Sequence, residues 1–183
     1  ATNMDINGTV TATGNITADV TMGASGVLNL NNSNTWGDNA AKVVGTIKSG
    51  GSGGTAQGTL NINGTFTTQG AIGQGGRGLA AINLSNSTFT NGFTTTFAHN
   101  VNATTITIGT SNMQTNATLT LSETSDGSNL IITGDIAGGG NYTAGGDIAS
   151  GVLDINSDTD VTGTIGTSGA YLAEVQVAND MIL

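Results

Sequence analysis

Four oxygen-bearing side chains, Asp154, Asn156, Asp158 and Asp160, occur at alternate positions of one short segment. In an extended strand they would share one face, opposite Leu153 and Ile155, and a cluster of hard oxygen donors suits calcium. The segment is not an EF-hand loop. Thr159 stands where that loop needs glycine, and Ile165 where it needs a bidentate glutamate. The calcium-binding nonapeptide of secreted repeat proteins is missing as well. The competing reading is a solvated acidic edge, so calcium is carried forward as an expectation for these four residues only.

Other chemistry is thinner. His99 is the single histidine and has no cysteine or second histidine to complete a metal set. As a general base it would need an oriented nucleophile and an oxyanion donor, so it reads as a loop histidine. Gly73-Gln74-Gly75-Gly76-Arg77-Gly78 is glycine-rich like a phosphate loop. No Lys-Ser/Thr pair follows it and a strand is expected next, so it reads as a β-corner. Polysaccharide lyases and hydrolases need carboxylates near a basic group or metal, or a close carboxylate pair. Arg77 is the sole arginine and the acids are scattered outside 154–160. The expectation is a protein that is not an enzyme, with polysaccharide binding or cleavage as the alternative.

Composition narrows the partners. Lys42, Lys48 and Arg77 face twelve carboxylates, and a net charge of -9 repels phosphate and anionic headgroups. Nucleic acid and membrane insertion are therefore not expected, and no apolar run is long enough for a spanning helix. Without cysteine there is no disulfide framework or thiolate metal site. Cysteine avoidance and the want of a leader ahead of Ala1 fit an exported, extracellular chain whose signal has been removed. Nine Asn-x-Ser/Thr triplets, from Asn7 to Asn141, follow from a composition rich in Asn, Thr and Ser.

The elements that must carry these residues read as strands. Only 8% of residues are charged while 36% are apolar, a balance unlike that of disordered chains. Order must then come from backbone pairing. Segments such as Leu60-Asn61-Ile62, Ile82-Asn83-Leu84, Ile106-Thr107-Ile108 and Leu153-Asp154-Ile155 put two aliphatics on one face and a polar residue on the other. Glycine clusters such as Gly138-Gly139-Gly140 mark corners, because glycine reaches positive φ without steric cost. Trp36, Phe66, Phe89, Phe93 and Phe97 read as core or corner packing. The spacing by four of Phe89, Phe93 and Phe97 would suit a helix, but the intervening Thr and Gly argue against one.

Recurrence then selects the architecture. Leu60, Ile82 and Ile106 are separated by 22 and 24 residues, and Leu130, Leu153 and Val175 by 23 and 22. Residues 58–84 align without a gap onto 151–177, with Gly58, Leu60, Ile62, Asn63, Gly70 and Ile72 matching Gly151, Leu153, Ile155, Asn156, Gly163 and Ile165. The expected fold is all-β, a right-handed parallel β-helix (β-solenoid) forming one domain over 1–183, with coils of about 22–24 residues. A β-sandwich subunit is the alternative. The repeat places Leu60, Ile62, Ile72, Leu79, Ile82 and Leu84 inside, together with Leu153, Ile155, Ile165, Leu172, Val175 and Val177. A lone coil buries too little to offset its ordering entropy, so coils must stack.

The unit from Gly163-Thr164-Ile165-Gly166 to Leu172-Ala173-Glu174-Val175-Gln176-Val177, with its earlier copy at Gly70 to Leu84, resembles the repeats of autotransporter passengers, particularly the large rickettsial outer-membrane type. The resemblance implies a cell-surface stalk, adhesin or surface-layer element, with a host or neighbouring-cell surface as a further partner. The family's C-terminal membrane barrel has no counterpart in the sequence up to Leu183. Both ends of the chain alternate without an evident polar cap, which predicts end-to-end association of copies through Met4, Ile6, Met181, Ile182 and Leu183.

Overall fold

The computed structural model describes residues 2–32, 41–51, 54–74, 76–85, 92–109, 117–122, 128–140, 142–143, 146–147 and 149–178. Among them the protein is all-β, with strands running parallel in three sheets and no helix. The described residues pass in seven circuits through the same three rows. The first holds β1 (Asn3–Ile6), β2 (Thr9–Ala12) and the bridge residue Ile16. The second holds β3 (Asp19–Met22), β4 (Val27–Asn31) and β5 (Ala41–Val43), and the third β6 (Ile47–Ser49), β7 (Thr59–Asn63) and β8 (Phe66–Thr68). The fourth runs from Ile72 to β9 (Leu79–Leu84) and β10 (Phe93–Phe97). In the fifth, β11 (Val101–Ile108) passes through two rows before β12 (Ala117–Leu121). The sixth does the same with β13 (Leu130–Gly138), then inserts an antiparallel hairpin of β14 (Tyr142–Thr143) and β15 (Gly146–Asp147) ahead of β16 (Val152–Ile155). The last holds β17 (Thr159–Thr162), Ile165 and β18 (Glu174–Val177).

Register keeps one apolar column inside each row. Val20, Ile47, Ile72, Val101 and Ile132 align along the first row. Leu28, Leu60, Ile82, Ile106 and Ile136 align along the second. Val43, Thr68, Phe97, Leu121 and Ile155 align along the third. All of these are buried. The alternation read from sequence is thus the pleat of strands with one face inside. The inward hydroxyls are satisfied by backbone: Thr95 Oγ1 donates to Gly64 O at 3.3 Å, and Ser49 Oγ accepts from Gly51 N at 3.0 Å. Outward positions form polar ladders. Asn83 Nδ2 donates to Asn61 Oδ1 at 2.9 Å and Asn61 Nδ2 to Asn29 Oδ1 at 2.8 Å, one residue per circuit.

Two expectations need correcting. Circuits are not uniformly 22–24 residues. Along the outer column of the second row the spacings are 18 from Thr11 to Asn29, 32 to Asn61 and 22 to Asn83, and on the third row Thr120 and Asp154 are 34 apart. Strand register is conserved while the corners absorb insertions, because a loop outside the ladder costs little extra closure entropy. Leu60, Ile82 and Ile106 are indeed one circuit apart, but Leu130 lies on the first row and Leu153 on the third.

The 93-residue repeat is also not a stack of equivalent coils. Leu60 and Ile82 lie in the seven-stranded sheet, whereas their sequence counterparts Leu153 and Val175 lie in the six-stranded one. The second copy sits three circuits and one face further on. Its burial differs accordingly: Leu153 and Ile155 are buried, Leu172 is half-buried, and Ile165, Val175 and Val177 are exposed at 40%, 45% and 42%. The exposed three belong to the last described circuit, where one side of each column has no neighbour among the described residues.

Candidate functional site

The corners between rows are where backbone N–H groups leave the ladder and need other acceptors. Aspartate and asparagine side chains supply them, each reaching the residue aligned with it one circuit on. Asn15 Oδ1 accepts from Lys42 N at 2.8 Å and Asn100 Oδ1 from Ile131 N at 2.8 Å. Asp19 Oδ1 accepts from Thr46 N at 2.9 Å and Thr46 Oγ1 at 3.0 Å. Asp135 Oδ1 accepts from Thr164 N and Thr164 Oγ1, both at 2.9 Å. The backbone bond first, and the hydroxyl bond second, hold the Asp19 and Asp135 carboxyls below the usual aspartate range. Sequence reasoning missed these clamps, yet they carry a signal. Each clamp residue directly precedes an inward β-branched aliphatic: Asn15-Ile16, Asp19-Val20, Asn100-Val101 and Asp135-Ile136.

Asp160-Val161 repeats that dipeptide in the last circuit. Asp160 is aligned with Ile131, in the column where Asn100 clamps the preceding step. It is exposed, on the edge strand of its sheet. On the same end, Ile165, Val175 and Val177 continue the buried second- and third-row columns into the open, and Tyr171 is 43% exposed beside them. Strands β17 and β18 are the edges of their sheets. Edge strands with apolar cross-sections and little charge are templates for another chain. Of two further exposed large hydrophobics, Val44 follows β5 and Ile131 lies on β13 beside Asp160 of the last strand pair.

The opposite end differs. Ile6 is buried inside the first circuit at 1% exposure, and Met4, Val10 and Ala12 are partly buried against the same core. Of the association residues expected from sequence, Met4 and Ile6 therefore point inward, while Met181, Ile182 and Leu183 lie outside the described residues.

The four expected calcium ligands do not line one strand face. Asp154 lies on β16 and Asp160 on β17, in different sheets, with the chain turning a corner at Asn156–Asp158. Asp154 Oδ2 accepts from Thr120 Oγ1 at 3.2 Å and from Asn156 Nδ2 at 2.9 Å, so Asn156 presents a donor to it. Among the described residues no group of three or more His, Asp or Glu side chains is placed to hold a metal. His99 is half-buried between β10 and β11, and Arg77 is exposed in the turn before β9.

One surface groove of about 350 Å³ runs along the corner between the first and second rows, past Gly78, Asn102, Thr133, Asp135 and Gly163. Its floor is shaped by packing. A Cβ on Gly134 would stand 1.8 Å from Ala103 O, and one on Gly163 2.3 Å from Gly134 O, so glycine is required where successive corners touch. Phe66 and Phe97 are fully buried and Phe93 nearly so; Trp36 and Phe89 fall outside the described residues. No family model, no curated protein and no solved structure matches this chain.

Proposed function

We propose that the chain is a parallel β-helix serving as a non-enzymatic structural element of a microbial surface, displayed outside the cell as a stalk, adhesin segment or self-assembling filament or surface-layer subunit. Parallel strands joined by crossovers favour a right-handed path. The resemblance to autotransporter passenger repeats, the scarcity of cations and the lack of cysteine support the extracellular setting. The mechanism is stacking. A next β-circuit, most simply the first circuit of another copy, pairs with β17 and β18, covers Ile165, Val175 and Val177, and gives Asp160 an N–H like the one that Asn100 receives two circuits earlier in its column. The observation that carries this reading is the exposure of those three residues in columns that are buried elsewhere along the stack.

Electron microscopy of the purified protein tests it. Fibres of uniform width, lost in a Val175→Glu/Val177→Glu variant that remains folded, support the assembling subunit. A monomeric protein at all concentrations removes self-assembly and leaves the stalk segment. Polysaccharide binding is the second reading and draws on the corner groove; retention on a glycan array, reduced by Asn102→Leu, would support it.

A further inference from the structure

Asn7-Gly8 and Asn63-Gly64 carry the same chemistry in opposite settings, and we propose that Asn7 is a self-modification site while Asn63 is protected by the fold. In an Asn-Gly pair the glycine nitrogen gives up its proton and attacks the asparagine Cγ. A C–N bond closes a five-membered imide, the Cγ–Nδ2 bond breaks, and ammonia leaves with that proton. Water then adds across either imide C–N bond, giving aspartate or isoaspartate, and nothing is oxidised or reduced. Glycine favours the step because no Cβ crowds the attacking nitrogen.

Asn7 and Gly8 form the connection between β1 and β2 in the first circuit, and both are exposed. A Cβ placed on Gly8 would meet nothing within 4 Å, so the peptide has room to turn into the attacking geometry. Asn63 is held on every side. Its Nδ2 donates to Asn31 Oδ1 at 2.8 Å, its Oδ1 accepts from Ser85 Oγ at 3.3 Å, and its backbone O accepts from Asn32 N at 3.0 Å. Gly64 is buried at φ +125°, with the site of a Cβ only 2.2 Å from Asn32 O. Ring closure there must break ladder bonds and move packed backbone. A third pair, Asn91-Gly92, has its asparagine outside the described residues.

The product matters because of what flanks it. Ile6 O accepts from Gly23 N at 2.8 Å and Gly8 O from Val27 N at 2.9 Å, tying β1 to β3 and β2 to β4 on either side of Asn7. Isoaspartate routes the backbone through Cβ and Cγ, adding one atom between those bonds together with a negative charge. One ladder must then slip, which loosens the first circuit while the interior circuits stay closed.

The test ages the intact protein in mildly alkaline buffer, with a parallel sample in urea, and maps aspartate and isoaspartate by mass spectrometry. In the folded protein Asn7 should convert faster than Asn63 by on the order of tenfold or more, because the two side-chain bonds at Asn63 must open first. In urea the two rates should converge. Aged folded protein should show faster amide exchange in β1 and β2 with β9 unchanged, and Asn7→Gln should abolish that change. Equal rates at the two sites in the folded protein, or an Asn7 that survives while the urea sample reacts, would overturn the proposal.

Discussion

The first and last described circuits differ in how far their aliphatic residues are covered. Ile6, aligned with the buried Met22 of the second circuit, is 1% exposed, and Met4 and Val10 pack against the same core. In the last described circuit Ile165, Val175 and Val177, each aligned with a buried residue of the preceding circuit, stay exposed. Burial in this stack depends on neighbours along the column and not on aliphatic character alone, since Leu153 is buried and the aligned Val175 is exposed.

The sharpest way to break that comparison is within one column. Leu153 and Val175 are directly aligned, one circuit apart. Leu153→Ala should destabilise by about 2–5 kcal/mol, the range for a fully buried leucine, while Val175→Ala in the monomer should stay within about 0.5 kcal/mol. Ile82→Asp, in the middle of the stack, should exceed both, since a buried carboxylate there has no cation to pair with. Denaturant titration reads all three. Similar losses for Leu153→Ala and Val175→Ala would show that the last circuit is as closed as the interior.

Backbone gives the next effect. Gly134, at φ +131° with no room for a side chain, should lose about 3 kcal/mol on replacement by alanine. Gly166 in the last circuit has φ +72° and open space, so Gly166→Ala should cost only the left-handed penalty, about 1 kcal/mol. Thermal unfolding of the two variants measures the difference.

Smaller still, Asn61→Ala removes both ladder bonds of the central asparagine and should cost about 1–2 kcal/mol. The smallest effect is acid sensitivity. Asp19 and Asp135 have folded pKa values below their unfolded ones, so their contribution is complete above the ordinary aspartate range. It fades as pH falls through the depressed folded values. Asparagine can still accept the same N–H, as Asn15 and Asn100 do. Asp19→Asn/Asp135→Asn should therefore flatten the acid limb of a stability-against-pH curve, and an unchanged limb would assign the acid sensitivity to other carboxylates.

How much of this was readable in the residues follows from the same physics. Alternation such as Leu60-Asn61-Ile62 reports a strand with one face inside, because the pleat has period two. Parallel stacking was legible from the one-circuit steps Leu60, Ile82 and Ile106. Circuit length was not, since insertions at corners leave no mark on the strands they join. The repeat misled because Gly70-Ala71-Ile72-Gly73 and Gly163-Thr164-Ile165-Gly166 each mark a corner with an aliphatic at a column position, but on different rows of the stack. The acidic segment misled because its alternation was read as one strand, although Asn156, Ser157 and Asp158 are turn-favouring residues and form the corner between β16 and β17. The clamps were legible as Asx before Ile or Val, but only once the register showed what each side chain reaches.

Amide hydrogen exchange followed as a function of protein concentration tests the stacking end most directly. The expected result is that amides of β17 and β18 exchange quickly in dilute solution and become protected as concentration rises, while β9 and β11 are slow throughout. Protection of β18 as strong as that of β9 in dilute monomer, or fast exchange at every concentration, would contradict an open end that accepts another circuit from a second copy.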